Sequence, residues 1–131
     1  MANWLVKTEP GDYSFEDLLR EKETAWTGVK NAVALKHLRA MRRGDRVIVY
    51  HTGSEKSAVG DATVVATTFE ENPKDAAELR VTLRASSPLP RPLPLSEIKS
   101  SPLFSDSPLV RIGRLSVVPL TGAQYAFLVK G

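Results

Sequence analysis

Arg46-Val47-Ile48-Val49-Tyr50-His51 is nearly continuous in β-branched and aromatic residues, closed off by Gly44-Asp45 before it and by the polar run Thr52 to Ser57 after it. That pattern reads as a strand buried on both faces. Ala58 to Phe69, rich in Val and Thr, follows the turn and is expected to pair back with it. Upstream, Asn3 to Lys7 reads as another strand, stopped by the turn signal Pro10-Gly11-Asp12. Downstream, Leu79, Val81, Leu83 and Ala85 alternate with Arg80, Thr82 and Arg84, the period of a half-exposed strand, after a polar connection from Glu70 to Asp75. Pro88, Pro90, Pro92 and Pro94 impose an extended, polyproline-like connector that is expected to stay out of the central ladder. Leu115 to Leu120 is a last strand.

Helices fill the gaps. Ser14 stands at an N-cap position, Glu16 and Asp17 put negative charge in the first turn, and Phe15, Leu18 and Leu19 follow helical spacing. Glu23 to Lys30, which contains Trp26 and Gly28, has no periodicity and reads as a loop. Asn31 to Arg43 reads as a helix capped by Asn31, with Ala34, Leu38 and Met41 on one face and Lys36, Arg39 and Arg43 on another. Leu95 to Ser100 reads as a short helical turn, and Thr121 with Gln124 forms a capping-box signature for a C-terminal helix bearing Tyr125, Leu128 and Val129. About five strands with non-local connections predict an α+β fold, a small mixed or closed β-sheet with helices at its rim. The missing βαβ alternation argues against a doubly wound sheet.

At 131 residues the chain has the length of one domain, and such a domain buries about two-thirds of its unfolded surface, enough for a core without disulfides or a structural metal. With no cysteine, thiolate zinc sites, iron–sulfur clusters and cysteine nucleophiles are excluded, and a reducing, cytoplasmic setting is expected. Two histidines make a histidine-rich metal site improbable, so no metal or cofactor is expected. No apolar run approaches the roughly 20 residues that span a bilayer, and Lys7 and Glu9 interrupt the stretch a signal peptide would need, so no membrane association is expected. The net charge of +3 is unevenly spread: residues 30–46 hold six Lys or Arg against one acid, and 84–131 hold six against two.

The sequence contains no GxSxG elbow, GxxxxGK[ST] loop, GxGxxG fingerprint or HExxH. Glu9 and Asp12 form a conceivable acid–base pair, but beside Pro10-Gly11 they read first as solvated turn residues. His51 is open to three readings, a general base, a base-edge hydrogen-bonder or a structural histidine, and the last is favoured. Trp26 next to Gly28 either packs into the core or offers a stacking surface for a planar ligand. Lys36, Arg39, Arg42, Arg43 and Arg46 make either a solvated helix face or a track for phosphates.

Several quoted runs together resemble the EVE domain: Trp4-Leu5-Val6-Lys7-Thr8-Glu9-Pro10, Tyr13-Ser14-Phe15, Trp26-Thr27-Gly28-Val29-Lys30-Asn31, Tyr50-His51-Thr52, Val59-Gly60, and Leu109-Val110-Arg111 through Arg114-Leu115-Ser116-Val117 to Pro119. They span nearly the whole chain in order, so the resemblance implies a single EVE domain over residues 1–131. It implies a PUA-like fold, a small mixed β-barrel of about five to six strands flanked by helices. It further implies a non-enzymatic pocket for a modified nucleobase, methylated or hydroxymethylated, in DNA or RNA. By position, the pocket residues would be Trp26, Gly28, Val29, Lys30, Asn31, His51, Thr52, Arg114, Leu115 and Ser116, bordered by Lys7 and Glu9. The sequence departs from the family pattern at Lys30, where arginine is usual, at Ala32, where an aromatic is usual, and at Gly113, commonly serine.

Three functions follow from this reading. The first is a monomeric reader of a modified base, with phosphates on Lys36, Arg39, Arg42, Arg43 and Arg46. The second is an RNA-binding module without modification preference, and the third a small nucleotide-processing enzyme using His51 as base.

Overall fold

Arg46–His51 forms the third strand, β3, and Val47 to His51 are all buried. The computed structural model describes residues 2–26, 31–67 and 81–130. β4 (Ser57–Thr67) returns antiparallel to β3, while β1 (Asn3–Thr8) runs parallel on its other side, with Trp4 opposite Val47 and Lys7 opposite Tyr50. A hairpin cannot join a parallel pair, which needs a crossover connection. The crossover carries α1 (Phe15–Glu21), β2 (Glu23–Trp26) and α2 (Ala32–Ala40). β5 (Val81–Pro94) pairs with β4, β2 with β5, and β6 (Val117–Leu120) with β1, giving the order β2-β5-β4-β3-β1-β6. The register shifts once between β3 and β4 and three times between β4 and β5. Such bulges bend and twist a strand, and the sheet curls into a half-barrel. Among the described residues α3 (Leu95–Ser100), a 3-10 turn at Pro102–Phe104, α4 (Pro108–Arg111) and α5 (Gly122–Lys130) complete the helices. The α+β fold with a small, curled mixed sheet is the one expected.

Two segments differ from expectation in type. Glu23–Trp26 is a strand, not a loop. It alternates exposed and half-buried positions, but over only four residues, too few for a period to register in the sequence. Its register on β5 is fixed by Glu23 opposite Arg84, whose guanidinium holds the carboxylate at 2.6 Å. The proline-rich run is also strand, not connector: Pro88 lies opposite Gly60 and Pro94 opposite Ser57. β2 covers β5 only from Val81 to Arg84, so beyond Arg84 the strand has, among the described residues, a β neighbour on one side alone. Prolines, which cannot donate to a ladder, are tolerated on such an edge, and Leu89 and Leu93 between them are buried.

The helix termini follow the sequence signals. Ser14 and Asp17 form a capping box on α1, and Thr121 and Gln124 exchange side-chain-to-backbone bonds of 2.9 and 3.1 Å at the start of α5. Asn31 Oδ1 accepts from the N–H groups of Val33 and Ala34 at 2.9 and 3.0 Å. Replacing Asn31 with alanine is therefore expected to cost about 1 kcal/mol, read as a lower denaturation midpoint at unchanged slope. α2 stops at Ala40, short of the expected Arg43, because Met41 turns extended and the Asp45 carboxylate takes the Arg42 N–H at 2.9 Å.

Candidate functional site

β1 and β3 end together at Thr8 and His51. Connections that diverge from the carboxyl ends of neighbouring strands open a crevice, and a cavity of about 270 Å³ lies here. Lys7 and Tyr50, register partners on one face of the sheet, line it together with Thr52, Gly53 and Lys56 from the β3–β4 turn. Leu95 and Lys99 of α3, Leu109 and Val110 of α4, and Gly113 complete it.

Lys7 is half-buried. Its ammonium donates to the Gly113 carbonyl at 2.9 Å and stands 5.6 Å from the centre of the Tyr50 ring. Burial pushes its pKa below the ordinary lysine value, and among the described residues no carboxylate pairs with it. An ammonium has three N–H bonds, so Lys7 keeps donors for a ligand. The Glu9 carboxylate borders the site: it accepts from the Gly11 N–H at 3.3 Å and from Thr52 Oγ1 at 3.4 Å. It lies so close to Gly53 (φ +73°) that a Cβ there would stand 2.6 Å from Glu9 Oε2. Gly53 thus meets both needs that exclude larger residues, a left-handed backbone and a close approach.

His51 is turned away from this work. Its Nε2 accepts the Phe15 N–H at 2.9 Å, which requires the proton on Nδ1, and Nδ1 then donates to Glu55 Oε2 at 2.8 Å. Both nitrogens are occupied and the ring is buried, so the general-base and base-edge readings give way to the structural one. The period of two explains it: Tyr50 and Thr52 share the face opposite His51 and reach the cavity instead.

The other expected residues divide. Lys7 and Thr52 line the cavity and Glu9 borders it. Leu115 is a core residue, 3% exposed, and does not reach a ligand surface. Ser116 contributes its carbonyl, which accepts the Lys7 backbone N–H at 2.9 Å, while Arg114 is exposed and Gly113, not Arg114, lines the cavity. The Asn31 carboxamide oxygen is committed to its helix cap. Trp26 is half-buried at the end of β2, packed against the core and edge-on to Tyr13 at 6.2 Å. Gly28, Val29 and Lys30 lie outside the described residues.

The basic stretch is not at the cavity. Arg46 opens β3 and His51 closes it, which separates them by roughly 17 Å along the strand. Arg46 stands 3.3 Å from the Tyr125 hydroxyl and 4.0 Å from Asp61, and Arg42 donates to the carbonyls of Arg39 and Met41 at the end of α2. Lys36, Arg39 and Arg43 are exposed. Sequence reasoning missed Tyr50, Gly53, Lys56, Leu95, Lys99, Leu109, Val110 and Gly113 as cavity residues. Strand parity could have found Tyr50 from Lys7; no local pattern in the β3–β4 turn, in α3, in α4 or at Gly113 marks the rest.

Among the described residues no group of His, Cys, Asp and Glu is arranged to hold a metal ion, and no helix is long and apolar enough to cross a membrane.

The EVE domain model matches residues 2–131. Thymocyte nuclear protein 1 of Gallus gallus is 29% identical, over 98% of this chain and 67% of its own length. The fold is shared with an NMR structure of a Rhodopseudomonas palustris protein, at 34% identity, TM-score 0.88 and coverage of 99% of this chain and 92% of the other. It is shared too with human THYN1 protein, solved in complex with 5-methylcytosine-containing DNA, at 25% identity, TM-score 0.84 and coverage of 98% and 96%.

Proposed function

The chain belongs to the EVE domain family, and on that premise we propose that it is a nucleic-acid-binding module that reads a modified base swung out of its stack into the cavity at the carboxyl ends of β1 and β3. The observation that carries this reading is the Lys7 ammonium, half-buried, hydrogen-bonded once and without a carboxylate partner among the described residues. A partly desolvated cation in that state favours an acceptor brought by a ligand. A flipped base supplies such acceptors as carbonyl oxygens and ring nitrogens, and donors as exocyclic amines. Lys7 would serve the former and the Glu9 carboxylate the latter.

The cavity suits one base. At about 270 Å³ it falls just under the range of about 300–1,000 Å³ usual for drug-sized ligands. Leu95, Leu109 and Val110 supply apolar surface for a ring face and for a methyl group. A relative of the same fold bound to 5-methylcytosine-containing DNA makes that base the first candidate. The proposal does not need Trp26 as a stacking platform, since its indole already has Tyr13 and the core to pack against.

The test is a titration against matched oligonucleotides, DNA and RNA, single- and double-stranded, with and without methylated or hydroxymethylated bases. A tenfold preference, about 1.4 kcal/mol, for one modified strand is the expected result. Lys7→Met is expected to weaken that strand's binding by one to two orders of magnitude, since hydrogen bonds to charged groups contribute about 1.5–3 kcal/mol. Equal binding of modified and unmodified strands by the unaltered protein would overturn the reading, and equal binding confined to RNA would favour a general RNA-binding module.

A further inference from the structure

The cavity does not end at Lys7. Lys56, Leu95 and Lys99 also line a second hollow of about 370 Å³, together with Glu55, Pro94 and Ser96. The two spaces share three residues and so lie side by side. Three lysines, Lys7, Lys56 and Lys99, thus line the inner cavity, where the Glu9 carboxylate stands at the border and no other acid of the described residues takes part in the lining. Like charges gathered this way repel one another unless an anion joins them.

Among the described residues the outer hollow has one acid, Glu55, against two lysines. Glu55 spends Oε2 on His51 Nδ1 at 2.8 Å, and among the described residues neither Lys56 nor Lys99 forms an ion pair. Lys56 is also fixed in place. It has φ +42°, a conformation that non-glycine residues rarely adopt, and its carbonyl accepts the Leu95 N–H at 2.8 Å, which ties the turn to the start of α3.

We propose that Lys56 and Lys99 form the phosphate-contacting surface of this protein, seating the phosphodiesters that flank a base held in the cavity, and that the basic face of α2 does not take this part. The second half rests on geometry: the α2 cations cluster toward the start of β3, Arg42 donates to helix carbonyls, and Arg46 contacts Tyr125 and Asp61. The proposal deepens the base-reading function and rests on it for the identity of the occupant, but its readout is separate. Phosphate contacts position a strand and carry no base information, whereas base contacts specify.

The experiment measures affinity against salt concentration for the preferred strand and its unmodified match, with the intact protein, Lys56→Gln/Lys99→Gln and Lys36→Gln/Arg39→Gln/Arg43→Gln. All these side chains are exposed, so the variants fold. Each phosphate contact contributes about 0.7 to the slope of log K against log salt on a single strand and about 0.9 on a duplex. The Lys56/Lys99 variant is expected to lose about 1.4–1.8 of slope and to weaken the binding of both strands. The α2 variant is expected to leave the slope unaltered. A slope lost in the α2 variant and kept in the Lys56/Lys99 variant overturns the inference while the base reading stands. A slope lost with Lys56 and Lys99 in a protein that shows no modification preference overturns the base reading and supports the phosphate surface. Absence of nucleic-acid binding by the intact protein overturns both.

Discussion

Asp45→Ala is expected to lower the unfolding free energy by about 2–5 kcal/mol, because donors taken out of water by the fold lose their charged acceptor. The Asp45 side chain is 4% exposed and accepts from three donors in different parts of the fold. They are the Ala2 N–H at 3.2 Å, the Trp4 indole N–H at 3.0 Å and the Arg42 N–H at 2.9 Å. It therefore ties the entry to β1, the exit from α2 and the start of β3 at one point. Alanine leaves the buried indole and the Arg42 amide without an acceptor, and unsatisfied buried donors cost about 1–3 kcal/mol each. A domain stable by about 5–15 kcal/mol would lose a large part of its margin. Asp45→Asn keeps one acceptor oxygen and should fall between. Because Asp45 sits beside the start of β3 and the cavity at its end, the folded fraction of either variant should keep its ligand preference. An unfolding free energy from denaturant titration that falls by less than about 1 kcal/mol in Asp45→Ala would contradict this account of the junction.

Gly60→Ala is the second large effect. A Cβ at residue 60 would stand 2.3–2.4 Å from three carbons of the Phe15 ring, well inside contact distance. The ring cannot simply swing away, because Phe15 is 3% exposed and its backbone N–H is bonded to His51 at 2.9 Å. Overpacking of this kind costs about 1–3 kcal/mol and occasionally more, and the closeness of the contact places this variant at the upper end. Phe15→Leu relieves the clash at its own cost of about 1–2 kcal/mol. The double variant should therefore be more stable than the sum of the two losses predicts, by about 1–3 kcal/mol. Strict additivity would show that α1 and β4 do not meet through this pair.

Local signals carried most of the elements. The β-branched run at Arg46–His51, the capping residues Ser14, Asn31 and Thr121, and the alternation from Val81 to Ala85 each appear in the structure where the sequence put them. What failed were inferences about neighbours. Whether Pro88 to Pro94 can join a sheet depends on β2 leaving that half of β5 uncovered, which no local pattern encodes. Glu23–Trp26 becomes a strand only because Val81–Arg84 lies beside it. Leu79 and Phe69, read as ends of strands, lie outside the described residues.

The site was legible to the same extent. The family resemblance points to Lys7, Thr52 and Glu9, and the structure places Lys7 and Thr52 in the lining of one cavity and Glu9 at its border. Lys56 and Lys99 carry no shared signal in the sequence, because 43 positions separate them and they meet through the pairing of Ser57 with Pro94 and the turn into α3. His51 was singled out for its chemistry, yet a ring whose two nitrogens hold Phe15 and Glu55 serves the scaffold. Residue type suggested a ligand there; strand parity gave the cavity to its neighbours Tyr50 and Thr52.

The most direct measurement is a backbone amide NMR titration of the protein with a short strand carrying one 5-methylcytosine, repeated with the matched cytosine strand. The account predicts that shifts specific to the methylated strand concentrate at Lys7, Tyr50, Thr52, Gly53 and Gly113, and that they vanish in Lys7→Met while the spectrum stays folded. Methyl-specific shifts confined to Arg39, Arg43 and their neighbours on α2, with the Lys7 cavity silent, would contradict it.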